Sequence, residues 1–174
     1  MSIDSLTHLF DNGIDLANRT IYIDDEIDDA LTGRVIRALK YLEAKSEEPI
    51  KVYINSIGGD VYGGFAIYDT LMSLQVDVIT IGTGIVASIA AIIYLAGDKR
   101  YMTDTACVMI HPVSMWLEAS APDIRIEAKE INRLEKIRIE LLASHSAKPA
   151  EFWKKIDRNR YFTPDECRKH GICD

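Results

Sequence analysis

No part of this chain constrains its fold more than Ile79 to Asp98, ITIGTGIVASIAAIIYLAGD. A β-branched run ends in Gly82 and Gly84 and passes without a break into a small-residue apolar segment with one hydroxyl, Ser88. Ile89 to Ala96 is long enough for a buried helix and too short to span a bilayer. A serine at such a strand-to-helix turn lies beside free backbone N–H groups and the positive end of the helix dipole. That position suits a nucleophile next to an oxyanion site. It also suits an N-cap, or a small residue where a helix packs closely on a sheet, and this stretch alone favours the plainer role.

A chain of 174 residues matches one domain with a sizeable core. The net charge is -7, and no cluster of Lys and Arg offers a phosphate-binding face, so nucleic acid is not the expected partner. Cys107, Cys167 and Cys173 are an odd set without metal-like spacing. They point to a reducing compartment and to no bound metal. The residues after Met1, SIDSLTHLFDNGID, lack the basic start and apolar core of a signal peptide, so a cytoplasmic location without membrane attachment is expected.

Along the chain, Leu6, Leu9 and Phe10 are candidate anchors of a short N-terminal segment, residues 1–18, and Asn12-Gly13 reads as a turn. A single domain, residues 19–174, follows. Arg19 to Ile23 predicts a strand, and Asp24, Asp25, Asp28 and Asp29 load the start of a helix whose Leu31, Val35, Leu39 and Leu42 form one apolar face. A second strand, Ile50 to Asn55, runs into Ser56-Ile57-Gly58-Gly59, where paired glycines permit close backbone approach. A helix from Val61 to Leu74 leads to a third strand, Val76 to Ile81. This alternation implies βαβ crossovers and a mostly parallel sheet, whose strand ends converge on one crevice. Gly58-Gly59 and Ser88 both occupy such ends.

Tyr101-Met102 and Ala106 to Ile110 predict further short strands, the second delivering His111. Pro122 opens the longest helix, to about His145. Its expected apolar face is Ile124, Ala128, Ile131, Leu134, Ile137 and Leu141, with Ile126 and Ile139 off it, a pattern that suggests contact with a neighbouring subunit. Phe152, Trp153 and Ile156 mark a short helix, and Thr163-Pro164-Asp165-Glu166 reads as a capping box for a last helix closed by Gly171. His8, His145 and His170 lie in polar or terminal segments and read as surface residues.

The segments INSIGGDVYGGFAIYDT, GTGIVASIAAIIYLAG, CVMIHPV and RNRYFTPDE, in this order, closely resemble the ClpP family of serine peptidases, over about Arg19 to Asp174. The resemblance implies an α/β ClpP/crotonase-type spiral of ββα units with a protruding long helix. It further implies assembly into two stacked rings of seven, and cleavage of unfolded polypeptide inside the chamber without cofactor. By position it makes Ser88 the nucleophile, His111 the general base, and Gly59 and Ile89 the donors of the oxyanion hole, with Ile57 and Gly58 beside the substrate.

Four departures qualify this. The third triad position, an aspartate in the family, is Asn159 here, with Asp157 two residues upstream. An asparagine oxygen can fix the imidazole tautomer but supplies no charge; in a serine protease the Asp-to-Asn change costs about four powers of ten. The N-terminal segment through which family members dock a Clp-type ATPase is shortened, which weighs against that partner. Ile57 and Ala90 replace a proline and a glycine, and the segment between Ser88 and His111 is two residues shorter. Three other readings stay open: a catalytically quiet ring subunit, a crotonase-like acyl-CoA enzyme using Asp60, and a stand-alone protease of the phage head-maturation kind.

Overall fold

A computed structural model describes residues 12–115 and 118–174. Leu6, His8, Leu9 and Phe10 lie outside them. The sheet is mixed, ordered β1-β2-β3-β4-β6-β7, with β5 paired to β4 off that path. β2 (Thr20–Ile23), β3 (Ile50–Ser56), β4 (Val78–Ala87), β5 (Lys99–Met102) and β6 (Cys107–Ile110) run parallel, as the alternating pattern predicts. The antiparallel ends are β1 (Ile14–Asp15) and β7 (Arg160–Phe162). Neither has a local signal: two or three residues cannot display an alternation, and each is a strand only because a neighbour pairs with it.

Helix α1 (Asp29–Lys45) starts where the Asp28 carboxylate accepts from Leu31 N at 2.7 Å, and it buries Leu31, Val35, Ala38, Leu39 and Leu42. Helix α2 (Val61–Ser73) is capped in the same way by Asp60, which accepts from Gly63 N at 2.6 Å. Helix α3 (Ile89–Leu95) is buried along its whole length, as its uninterrupted apolar composition demands. These helices and the sheet enclose one core that includes Ile21, Val52, Ile54, Ile67, Ile93, Tyr94 and Trp153.

Strand β4 differs from expectation. It does not stop at Ile81 but continues through both glycines to Ala87. Its first half pairs with β5, Ile79↔Lys99 to Gly82↔Met102, and its second with β6, Ile85↔Cys107 to Ala87↔Met109. On the other edge the β3 register slips between Ile54↔Gly82 and Ser56↔Val86. Gly84 takes the fold through this kink at φ 54°, and the Asn55 side-chain oxygen receives the Ile85 N–H at 3.1 Å. A Cβ on Gly84 would stand 2.4 Å from that oxygen. The bend therefore exchanges one neighbouring strand for another within a single β-strand, and β6 arrives beside the end of β4.

The long helix α4 (Ala121–Ser144) carries Pro122 in its first turn as expected. Its buried residues are Leu134, Arg138 and Leu142: of the expected stripe Leu134 is buried, Ile131, Ile137 and Leu141 are half-buried, and Ile124 and Ala128 are exposed, as is Ile126 off it. The cause is that only the second half of α4 packs on the core. Helix α5 (Ala150–Trp153) buries Trp153, and α6 (Pro164–His170) has the expected capping box, with Gly171 left-handed at its C-cap. Two histidines are not surface residues. His145 is partly buried and bonded to the Tyr68 hydroxyl at 2.6 Å, and His170 is buried against Phe152 and Phe162. Cys107, Cys167 and Cys173 are free thiols, and burial pushes Cys167 up to about 12. Among the described residues no helix is long and apolar enough to cross a membrane.

Candidate active site

Ser88 stands between β4 and α3 with φ 57° and ψ −126°. Among the described residues only Ser88 and Arg19 combine a side chain with positive φ. A backbone of this kind costs on the order of 1–3 kcal/mol and persists only where its surroundings hold it. Here the Ser88 N–H donates to Met109 O at 2.8 Å, and its carbonyl receives the Ala91 N–H at 3.1 Å. The residue is thus gripped by β6 on one side and α3 on the other. Although it occupies the N-cap position of α3, its side chain makes no capping bond. The hydroxyl turns instead to His111, with Oγ 2.8 Å from Nε2.

The β4–β6 register accounts for this meeting. Ala87 pairs with Met109, so Ser88 leaves its strand just as β6 delivers His111, one residue past Ile110. Pro112 ends that strand, and the Val113 N–H is held at 3.0 Å by the Glu135 carboxylate of α4.

The glycine pair closes the other side. Ile27 donates its N–H to Gly58 O at 2.8 Å and accepts from Asp60 N at 2.7 Å, a bridge that leaves the Gly59 N–H out. A Cβ on Gly59 would lie 2.3 Å from Ile27 O, and one on Gly58 would lie 2.8 Å from the Ser88 Cβ. Both glycines are therefore required by contact as well as by their positive φ of 148° and 97°. Gly58 itself is buried, its N–H given to Ser56 Oγ at 3.1 Å, while Ile57 is 64 % exposed beside it. Ile89 supplies the first N–H of α3, a position with no intrahelical acceptor.

Gly59, Ser88, Ile89 and His111 line one cavity of about 150 Å³, together with Val61, Phe65, Ile92, Ile110, Pro112, Val113, Ser114 and Arg138. Asn159 is exposed and makes no hydrogen bond to His111. It nevertheless lies one step beyond the last β6–β7 pair, Ile110↔Arg160, which puts it across from His111 in the continued register. Asp60, the acid beside the glycine pair, is occupied as the cap of α2.

Sequence reasoning missed Glu135 and Arg138. Arg138 donates through Nε and Nη2 to the two oxygens of Glu135, at 2.9 and 2.5 Å, and is only 7 % exposed. Burial alone would raise the Glu135 carboxyl, but hydrogen bonds from Arg138 and Val113 outweigh it and hold the group below its usual range. The signal was present in the spacing: Leu134, Arg138 and Leu142 recur every four residues, which places a charge where the helix buries its neighbours.

Comparison with known proteins supports the same reading. Residues 10–174 match the model of the Clp protease family. The ATP-dependent Clp protease proteolytic subunit of Porphyromonas gingivalis is 39 % identical over 164 residues, covering 91 % of this chain and 73 % of that protein. Among solved structures, an asparagine-to-aspartate mutant of ClpP1 from Listeria monocytogenes superposes with a TM-score of 0.85 at 33 % identity, over 97 % of this chain and 93 % of its own. A sheet that brings a strained serine to a histidine, and a family match over nearly the whole length, lead to one conclusion: this chain belongs to the Clp protease family, the ClpP-type serine peptidases.

Proposed function

We propose that the chain is a serine endopeptidase that cuts unfolded polypeptide by an acyl-enzyme route, with Ser88 as nucleophile and His111 as general base. The 2.8 Å separation of Ser88 Oγ and His111 Nε2 carries this reading. Nε2 takes the hydroxyl proton as Oγ attacks the scissile carbonyl, and returns it to the leaving amine; water then hydrolyses the ester by the same path reversed. The N–H groups of Gly59 and Ile89 receive the oxyanion, where loss of one donor in a comparable enzyme costs roughly 3 kcal/mol. Ile57 and Gly58 flank the bound chain. Asn159 is assigned as the acceptor for the Nδ1–H of His111: no hydrogen bond joins the two in this structure, but the continued register makes them cross-strand neighbours about 5 Å apart.

The working form is two stacked rings of seven enclosing the sites. The exposed Ile124 and Ile126 on the free half of α4 support an interface there. A Clp-type ATPase assists or is absent, the two cases being separated by whether peptidase activity responds to an added unfoldase. The site itself is tested with a fluorophosphonate probe: labelling of the wild type, lost in Ser88→Ala and strongly reduced in His111→Ala, is the expected result. A fully assembled sample that takes no label would favour the quiet ring subunit instead.

A further inference from the structure

His111 depends on the main chain that carries it, because among the described residues its ring has one hydrogen-bond partner, Ser88 Oγ. The β6–β7 ladder stops at Ile110↔Arg160, and Pro112 has no N–H to give. Beyond it the chain enters the cavity wall at Val113 and Ser114, without strand or helix. The Val113 N–H donates to Glu135 Oε2 at 3.0 Å, and among the described residues this is the only hydrogen bond made by residues 112–115. Glu135 is itself fixed. Arg138 grips both of its oxygens in a planar fork, at 2.9 and 2.5 Å, and is buried. Leu134 and Leu142 bury the same stretch of α4, so the carboxylate rides on a rigid element. Its bonds hold the carboxyl below the usual range, and at neutral pH it is ionised and accepts only. Arg138 balances that charge, which leaves Glu135 little field to offer an imidazolium. What it does offer is a fixed point two residues past His111.

From this we infer that Glu135 is a positioning residue for the proposed base: by anchoring the Val113 N–H it sets the course of the main chain at His111, and with it the 2.8 Å approach of Nε2 to Ser88 Oγ. Arg138 serves the same end by holding Glu135 in the one orientation that reaches Val113. Neither replaces Asn159, which is assigned to Nδ1; Glu135 acts on the backbone, from α4. A misplacement of about 1 Å at a reacting group costs on the order of a hundredfold in rate, so release of this segment is felt in the chemical step. Binding in the cavity is affected less, because the apolar lining of Val61, Phe65, Ile92 and Ile110 comes from α2, α3 and β6.

This rests on the proposed peptidase site, which labelling of the wild type checks separately. The full-length chain is reacted with a fluorophosphonate over a range of concentrations, so that the maximal labelling rate, kinact, is separated from the probe's KI. Glu135→Leu alone would strand a buried cation, so Arg138→Met accompanies each replacement; removing a buried ion pair as a unit leaves no unpaired charge. With Glu135→Gln the double variant keeps an amide oxygen for the Val113 N–H, and with Glu135→Leu it has none. The expected result is a kinact about tenfold or more higher in the Gln pair than in the Leu pair, with KI values within about threefold of each other. Glu135→Asp, with Arg138 retained, keeps the charge but falls one methylene short of Val113, and should lower kinact by about tenfold against the wild type. That variant decides the matter if the Leu pair does not fold. Equal kinact in the Gln and Leu pairs, a difference confined to KI, or an unchanged kinact in Glu135→Asp overturns the role of Glu135 and leaves the peptidase site standing. A wild type that takes no label removes both.

Discussion

Ser88 carries a strained backbone as well as the proposed nucleophile, and the two can be separated by comparing Ser88→Ala with Ser88→Gly. Both variants lose the hydroxyl and its 2.8 Å contact with His111, so both should be inactive. They differ only in Cβ. At φ 57° and ψ −126° a side chain is disfavoured by about 1–3 kcal/mol, whereas glycine tolerates the conformation. Against this, glycine loses about 0.4–1 kcal/mol through the greater freedom of its unfolded chain. The difference favours Ser88→Gly by about 1 kcal/mol, reversing the usual ranking in which alanine is the more stable replacement. For a chain of this length that corresponds to a rise in Tm of about 2–4 °C over Ser88→Ala. The variants should be unfolded in parallel at one protein concentration, so that assembly contributes equally to both. If Ser88→Ala proves as stable as Ser88→Gly or more so, the backbone at position 88 is not strained and this account of how the hydroxyl is aimed is wrong.

Three further outcomes are expected. Asn159→Asp should raise turnover by tenfold or more, because a carboxylate in the proposed triad position stabilises the imidazolium, which an amide there could only orient; an unchanged or lower rate would give the role to Asp157 or to water. Gly59→Ala should destabilise the chain by about 2 kcal/mol and slow probe labelling at least a hundredfold, since the new Cβ would stand 2.3 Å from Ile27 O and force apart the bridge that sets the Gly59 N–H; labelling at the wild-type rate would refute this. Burial holds His145 and His170 below their ordinary range, Arg100 adding to the effect at the first, and Lys148 and Arg160 at the second. The unfolded chain then binds more protons as pH falls below about 6.5, so their contribution is intact above that pH and is lost toward the lower folded-state values. Tm should accordingly drop between pH 7 and 5.5, with a shallower drop in the double variant His145→Gln, His170→Gln. Equal slopes in the two proteins would count against it.

Much of the architecture was legible from local pattern. Leu31, Val35, Leu39 and Leu42 announce the buried face of α1, Thr163 to Glu166 announce a cap, and both appear as read. Patterns failed where burial depends on a partner distant in sequence. The first half of α4 has apolar residues at helical spacing but nothing among the described residues to cover them, so Ile124 stays exposed while Arg138, further along, is buried. Gly82 and Gly84 look like the end of a strand, yet β4 runs through them because it is paired on both edges. His170 reads as a terminal polar residue and is packed between aromatic rings that come from α5 and β7.

By itself the sequence determined the parts of the chemistry: a serine at the mouth of a buried helix, a histidine at a strand end, and two glycines where no side chain would fit. These follow from residue type and near neighbours, and local sterics and apolar periodicity are sufficient to place them. Whether the serine and histidine meet was decided by the kinked β4 and the register of β6 upon it, which no local pattern encodes, because strand pairing is a property of two segments and not of either alone. The same holds for Arg138, whose chemistry is written in its side chain but whose place in the cavity wall comes only from the packing of α4 beside the site.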